Sequence, residues 1–268
     1  MNNKVSIITG ASSGIGKAIA YELAKKGSNV VLAARRKDRL IKVAKDIEDK
    51  YNVKTLVIQA DLSLQDDCKK VIDNTIAKFS KIDILINNAG ISQRALFADL
   101  DLNVIHKVMN INYWASIYTT KFALPYILES KGSIVAISSI SGFSPLPART
   151  GYCSSKYALH GFMEALRIEH LKTGVHIMIV APEYVASEIR EHALMKNGKE
   201  QGKSPREEKK MLTAEHVAKR IVKGIIKRRR TMVIGRIGTL NVVLYKLLPK
   251  LTDRLIYYYI KKETNSPY

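Results

Sequence analysis

Short, nearly unbroken runs of Val, Ile and Leu alternate along much of the chain with longer stretches whose apolar positions recur every three or four residues. The runs are VSIIT (5–9), NVVLAA (29–34), KTLVIQ (54–59), IDILIN (82–87), GSIVAIS (132–138) and VHIMIVA (175–181), with TMVIG (231–235) as a seventh. Little polar alternation interrupts them, which is the pattern of parallel strands buried on both faces. The helical period predicts helices over 16–27, 37–50 and 64–79, two within 99–129, and one from about 150 to 172. Strands and helices in this alternation predict one α/β domain, a Rossmann-type doubly wound, mostly parallel seven-stranded sheet with helices on both faces.

Two stretches depart from the pattern. Residues 188–212 are highly charged with few apolar anchors, and they fall after the sixth strand, at the carboxyl end of the sheet where ligands bind. A mobile lid is expected there, against the plainer reading of a solvated excursion. Residues 236–268 mix apolar, aromatic and cationic positions, as in VVLYKLLPKL and LIYYYIKK. They read as an extension of a 1–235 domain that packs on it or on a partner subunit.

Composition narrows the class. Of 268 residues, 46% are hydrophobic, enough for a real core. Cys68 and Cys153 offer no disulfide framework, and the six histidines show no metal-ligand spacing, so no metal is expected. The chain enters its first strand at residue 4, so no secretory leader is expected. The best membrane candidate, 237–260, is broken by Lys246, Pro249, Lys250, Asp253 and Arg254, so it is expected to lie on a surface rather than cross a bilayer. A cytoplasmic location, a reducing compartment, is expected, with weak peripheral contact to an anionic membrane as a secondary expectation. The formal charge of +20 is concentrated toward the C-terminus, but no RNA- or DNA-binding motif accompanies it, and no nucleic-acid partner is expected.

TGASSGIG (9–16) sits where the first strand gives way to the first helix. Gly10, Gly14 and Gly16 permit a tight turn in which backbone N–H groups, with Ser12, Ser13 and Ile15 between, approach a pyrophosphate at the helix N-terminus. At the end of the second strand stand Arg35 and Arg36 rather than the acidic residue that holds the ribose of NAD. Guanidinium groups there suit the 2′-phosphate of NADP, so NADP(H) is expected over NAD(H). Further on, Tyr152 and Lys156 are four apart in GYCSSK, on one face of a predicted helix.

These residues resemble the short-chain dehydrogenase/reductase family over nearly the whole chain. The turn at 9–16 looks like the family's TGxxxGxG; Asp61 and Leu62 match its Asp-Leu pair, 87–90 its NNAG, and 152–156 its YxxxK. Asn112 and Ser139 fall where the family has its catalytic asparagine and serine. The general pattern, with a long basic extension, resembles the hydroxysteroid-dehydrogenase-like members. The resemblance implies that Tyr152 is the acid/base and that Lys156 lowers its pKa and holds the nicotinamide ribose. Ser139 would orient the substrate oxygen and Asn112 would hold a water in the proton relay. It also implies Asp61 near the adenine, Asn88 and Gly90 beside the adenosine, and Ser187 at the carboxamide.

One position departs from the family. After the sixth strand the usual Pro-Gly is Pro182-Glu183, whose side chain is expected to face solvent, the pocket edge being the alternative. Phe143 and Tyr184 are the expected substrate contacts, on walls that suit a hydrophobic carbonyl or alcohol of lipid- or steroid-like character. The family implies a homodimer or homotetramer. An epimerase or dehydratase on the same scaffold and a non-catalytic NADP(H) sensor are the competing readings.

Overall fold

The computed structural model describes residues 1–263, 266 and 268; the end of the 236–268 extension, residues 264, 265 and 267, lies outside them. Seven strands, β1 (Val5–Thr9), β2 (Asn29–Ala34), β3 (Thr55–Gln59), β4 (Ile84–Asn87), β5 (Ser133–Ile137), β6 (His176–Pro182) and β7 (Thr231–Ile234), form one sheet. Its order is β3-β2-β1-β4-β5-β6-β7, and every pairing is parallel. This is the doubly wound single domain expected from the Val/Ile/Leu runs. The chain winds outward from β1 to β3, returns to the middle, and winds the other way from β4. The carboxyl ends of β1 and β4 therefore flank the switch point where such folds bind ligands.

Helices α1 (Gly14–Ala24) and α2 (Lys37–Lys50) cover one face of the sheet, and α3 (Gln65–Phe79) covers the other. Beyond β4 come α4 (Leu102–Met109), a π-turn over Asn110–Trp114, α5 (Ala115–Glu129) and α6 (Thr150–Glu169). Two apolar layers result, because successive strand residues point to opposite faces. Ile8 packs with Ile19, Leu23 and Ile47 on one side, while Ile7 packs with Val71, Ile127 and Leu159 on the other.

The period reading left the stretch before β7 unassigned. It forms α7 (Ala214–Ile226), with Thr213 accepting from the His216 N–H at 3.2 Å as its N-cap. Val217, Ile221 and Ile225, spaced four apart, are buried against the layer that contains α1. That spacing was visible in the sequence.

The extension forms α8 (Arg236–Leu247) and α9 (Pro249–Lys261). Asn241 donates to Ser144 Oγ at 2.9 Å, which ties α8 to the loop after β5 of the same chain. The outer faces stay open: Ile237 is 79% exposed and Leu247 73%. No helix among the described residues is long and apolar enough to cross a membrane.

Candidate active site

A cleft of about 760 Å³ runs along the carboxyl ends of the central strands, from the β1–α1 turn to the N-terminal turn of α6. Its floor is the glycine-rich turn. Gly10 has φ +67° and Gly14 φ +53°, both in the left-handed region that favours glycine. A Cβ at Gly16 would lie 2.4 Å from the Asn88 amide nitrogen and 2.5 Å from the Gly10 carbonyl oxygen, so the turn closes on itself only with glycine there. Asn88 braces it, donating from Nδ2 to the Thr9 carbonyl at 2.8 Å. Helix α1 starts at Gly14 with no side-chain cap on Ser13 and no acidic residue in its first turn. Its first N–H groups thus face the cleft, as a pyrophosphate needs, and the residues fit a dinucleotide.

Arg36 reaches back over this turn, donating to Ser13 Oγ at 2.7 Å and to Ser12 Oγ at 3.2 Å. The same guanidinium donates to Glu188 at 2.8 Å, and Arg39 donates to that carboxylate at 2.7 Å. The Arg36 bond, then that from Arg39, holds the Glu188 carboxyl below its ordinary range. Glu188 lies in the 188–212 stretch, so that stretch crosses the cleft rather than leaving it. Arg35 is more exposed and lines the outer edge with Asp61. Asp61 Oδ1 accepts from Ser63, at 3.0 Å from its N–H and 2.8 Å from its hydroxyl. Leu62 is buried, and Gly90 lines the cleft. Ser187 also lines it, 3.3 Å from where a Cβ on Gly14 would stand.

At the other end, Gln93 Oε1 accepts from the Gly151 and Tyr152 N–H groups at 2.8 and 3.3 Å and so caps α6. Nothing in the sequence pattern pointed to Gln93. Tyr152 and Ser139 line the cleft together, and Lys156 Nζ donates to the Ile137 carbonyl at 3.1 Å. The ammonium lies 5.7 Å from the Tyr152 ring centroid. Tyr152, Lys156 and Ser139 therefore share one corner.

Asn112 lies in the π-turn, a distortion that often marks a functional position. Its Oδ1 accepts from the Ile91 N–H at 2.8 Å, and its Nδ2 donates to the Ile91 carbonyl at 3.0 Å and to Ser155 Oγ at 2.9 Å. Ser155 in turn donates to the Tyr152 carbonyl at 2.7 Å. The Asn112 carboxamide is engaged in holding α6 against the strand β4 loop.

Electrostatics differ from the expectation that Lys156 lowers the phenol. Burial pushes Tyr152 up to about 12, opposed first by the Ser139 side chain. Burial also pushes Lys156 down to about 8. In this geometry the phenol keeps its proton near neutral pH, which makes it a donor.

Two further positions depart from the reading of the sequence, and a third agrees with it. Phe143 does not line the cleft: its ring packs edge-on against His160 at 4.4 Å, because the turn after β5 folds it inward. Glu183 does not face solvent: its Oε2 accepts from the Gly238 N–H at 2.7 Å and caps α8. Tyr184 does line the cleft, with the Arg206 guanidinium 4.1 Å from its ring centroid. Arg206 and Arg149, which line the same end, were not singled out from sequence.

A profile of the short chain dehydrogenase family matches residues 4–197. 11-beta-hydroxysteroid dehydrogenase-like 3 of Arabidopsis thaliana is 47% identical over 197 residues, covering 73% of this chain and 63% of that protein. 11-beta-hydroxysteroid dehydrogenase 1A of the same plant is 44% identical over 187 residues, covering 69% of this chain. The match spans only 53% of that relative's own length. Among solved structures, a short chain dehydrogenase/reductase from Burkholderia phymatum in complex with NAD superposes with a TM-score of 0.83 at 21% identity, covering 93% of this chain and 95% of that one.

Proposed function

The chain belongs to the short-chain dehydrogenase family, and from that premise we propose that it is an NADP(H)-dependent oxidoreductase. It interconverts a carbonyl and a secondary alcohol on a hydrophobic, lipid- or steroid-like substrate, with Tyr152 as acid/base. The observation that carries this reading is that Tyr152, Ser139 and Lys156 line one cleft with the glycine-rich turn and Arg36.

A dinucleotide held in this cleft would supply the chemistry of hydride donor or acceptor. The chain's own residues do the rest. Ser139 hydrogen-bonds the substrate oxygen and orients it, and Tyr152 gives that oxygen its proton in reduction or takes it back in oxidation. Lys156, fixed by the Ile137 carbonyl, is the second titrating group behind the phenol and the ribose contact. Asn112 and Ser155 act through position, holding the α6 turn that carries Tyr152. The turn at Gly10, Gly14 and Gly16 receives the pyrophosphate, Asp61 and Asn88 the adenosine side, and Ser187 the carboxamide. Arg36, pre-positioned by Ser12 and Ser13, holds the 2′-phosphate that selects NADP(H).

The relatives' hydroxysteroid names support an apolar alcohol or ketone, and Leu146, Leu194 and Tyr184 supply apolar wall. Cys68 and Cys153 are free and buried, which suits a reducing compartment, and the cytoplasm is the location proposed. The open faces of α8 and α9 are assigned to a subunit contact, ahead of contact with an anionic membrane.

A fluorescence titration with NADPH and, separately, NADH tests the cofactor reading, with NADPH expected to bind at least about tenfold tighter through its extra charged contact. Tyr152→Phe is expected to keep that binding and to lose turnover by about a hundredfold or more. Equal affinity for the two cofactors sinks the role given to Arg36. Unchanged function in Tyr152→Phe turns the reading toward a sensor.

A further inference from the structure

The cleft end beyond Tyr152 carries an unusual concentration of positive charge. Arg149 stands immediately before α6, three residues ahead of Tyr152, and Arg206 descends from the 188–212 stretch; both line the cleft. Behind them the carboxylate of Glu263, at the end of the extension, is shared by three guanidinium groups. Its Oε2 lies 3.3 Å from Arg94 Nη2 and 3.7 Å from Arg149 Nη2, while its Oε1 pairs with Arg206 Nη2. All four side chains are largely out of water, Arg206 being 15% exposed, Arg149 13% and Glu263 4%. Arg206 is fixed further by lying between the rings of Tyr184 and Tyr259, 4.1 and 4.7 Å from their centroids.

Two cleft-lining guanidinium groups, Arg149 and Arg206, thus share this one carboxylate. Placing a charge out of water is costly unless it is paired. Among the described residues, Glu263 is the one carboxylate within salt-bridge distance of Arg149 or of Arg206. Arg190, which also faces the cleft, differs: it is matched to Glu208, donating from Nε at 2.7 Å. The excess positive charge of the Arg149–Arg206 pair thus faces the same space as the Tyr152 phenol. Glu263 itself indicates the acceptor these guanidinium groups take, since planar forks match a carboxylate.

We propose that Arg149 and Arg206 form a carboxylate subsite at the substrate end of the cleft, so that the substrate is an apolar carbonyl compound bearing a carboxylate. This deepens, and rests on, the oxidoreductase reading of the same site. Leu146 and Leu194 contact the apolar body, the carbonyl meets Tyr152 and Ser139, and the acid group meets the two arginines. The C-terminal extension completes the subsite by holding the arginines from behind through Glu263.

The test uses the full chain with NADPH and a series of medium-chain oxo-acids, each beside its methyl ester. The ester keeps chain and carbonyl and removes only the charge. The acids are expected to show kcat/KM at least about tenfold above their esters, the range of one charge-assisted hydrogen-bond pair. In Arg206→Gln and Arg149→Gln that acid-to-ester ratio should fall toward one, and in Arg206→Lys it should be intermediate. Calorimetric titration of the wild-type chain with a medium-chain alkanoate and its methyl ester gives the same comparison without turnover and without depending on a variant's folding. Esters reduced as well as acids, with equal binding of alkanoate and ester, overturn the subsite while leaving the oxidoreductase intact. Failure of every carbonyl compound together with failure to bind NADPH overturns the oxidoreductase reading, and the calorimetric comparison still decides the subsite.

Discussion

His160 shows how a single side chain sets a condition on this site. Its Nε2 lies 2.7 Å from Ser138 Oγ, directly before Ser139, and a Cβ on Gly142 would come within 2.6 Å of the same nitrogen. Burial, and then the charge of Lys156, pushes the imidazole down from 6.5 to about 4. Between those values the unfolded chain binds the proton and the folded one does not. Stability from this group is therefore whole at neutral pH and is lost as pH falls from 6.5 through 4, by roughly 3 kcal/mol in all. The expected result is a melting temperature that drops across this interval and a shallower drop in His160→Gln, which cannot titrate. Parallel curves for the two proteins would remove His160 as the cause. At this scale the motif residues were legible because their spacing is local: Tyr152 and Lys156 are one helical turn apart. Gln93, Ser155 and Arg206 were not, because each acts through a partner distant in the chain.

Glu183 matters through the element it caps. The carboxylate at the N-terminus of α8 satisfies an otherwise unpaired N–H and faces the positive end of the helix dipole. Its presence fixes two neighbours. A Cβ on Gly235 would lie 1.9 Å from Glu183 Cδ, and one on Gly238 3.0 Å from Glu183 Cβ. Glu183→Ala is expected to cost about 1 kcal/mol, as for loss of a helix cap. Gly235→Ala is strained by its φ of +121° in any background but meets the clash only when Glu183 is present. A double-mutant cycle by thermal denaturation should therefore show Gly235→Ala less costly beside Glu183→Ala, with a coupling of about 1 kcal/mol or more. Strict additivity would contradict the cap. Helix α7 teaches a different point about elements. Its apolar spacing was present in the sequence, but the segment follows a highly charged stretch and the period reading left it unassigned.

The whole molecule carries its formal charge of +20 beside a large apolar surface on α8 and α9. Leu240 is 60% exposed and Leu247 73%, and Lys246, Lys250 and Arg254 are exposed on the same two helices. Exposed apolar surface of this kind marks a contact, and we expect it to lie between subunits. Sedimentation velocity should show a dimer or tetramer, and the double change Leu240→Asp with Leu247→Asp should shift it toward monomer. A wild-type monomer that instead pellets with anionic vesicles at low salt, and is released as salt rises, would assign the face to a membrane surface.

The sequence by itself determined the sheet, its parallel sense and the glycine-rich turn after β1, because buried strands, helical periods and a tight glycine turn are written in neighbouring residues. It also marked Tyr152 and Lys156 as one face of one helix. Tertiary structure alone decided where Glu183 points, that Phe143 turns inward, that Glu188 spans the cleft to Arg36, and that Arg94, Arg149 and Arg206 meet on Glu263. Those contacts join residues as much as 169 positions apart. No local pattern encodes such meetings; they exist only once the sheet has brought its loops and its last helix to the same end.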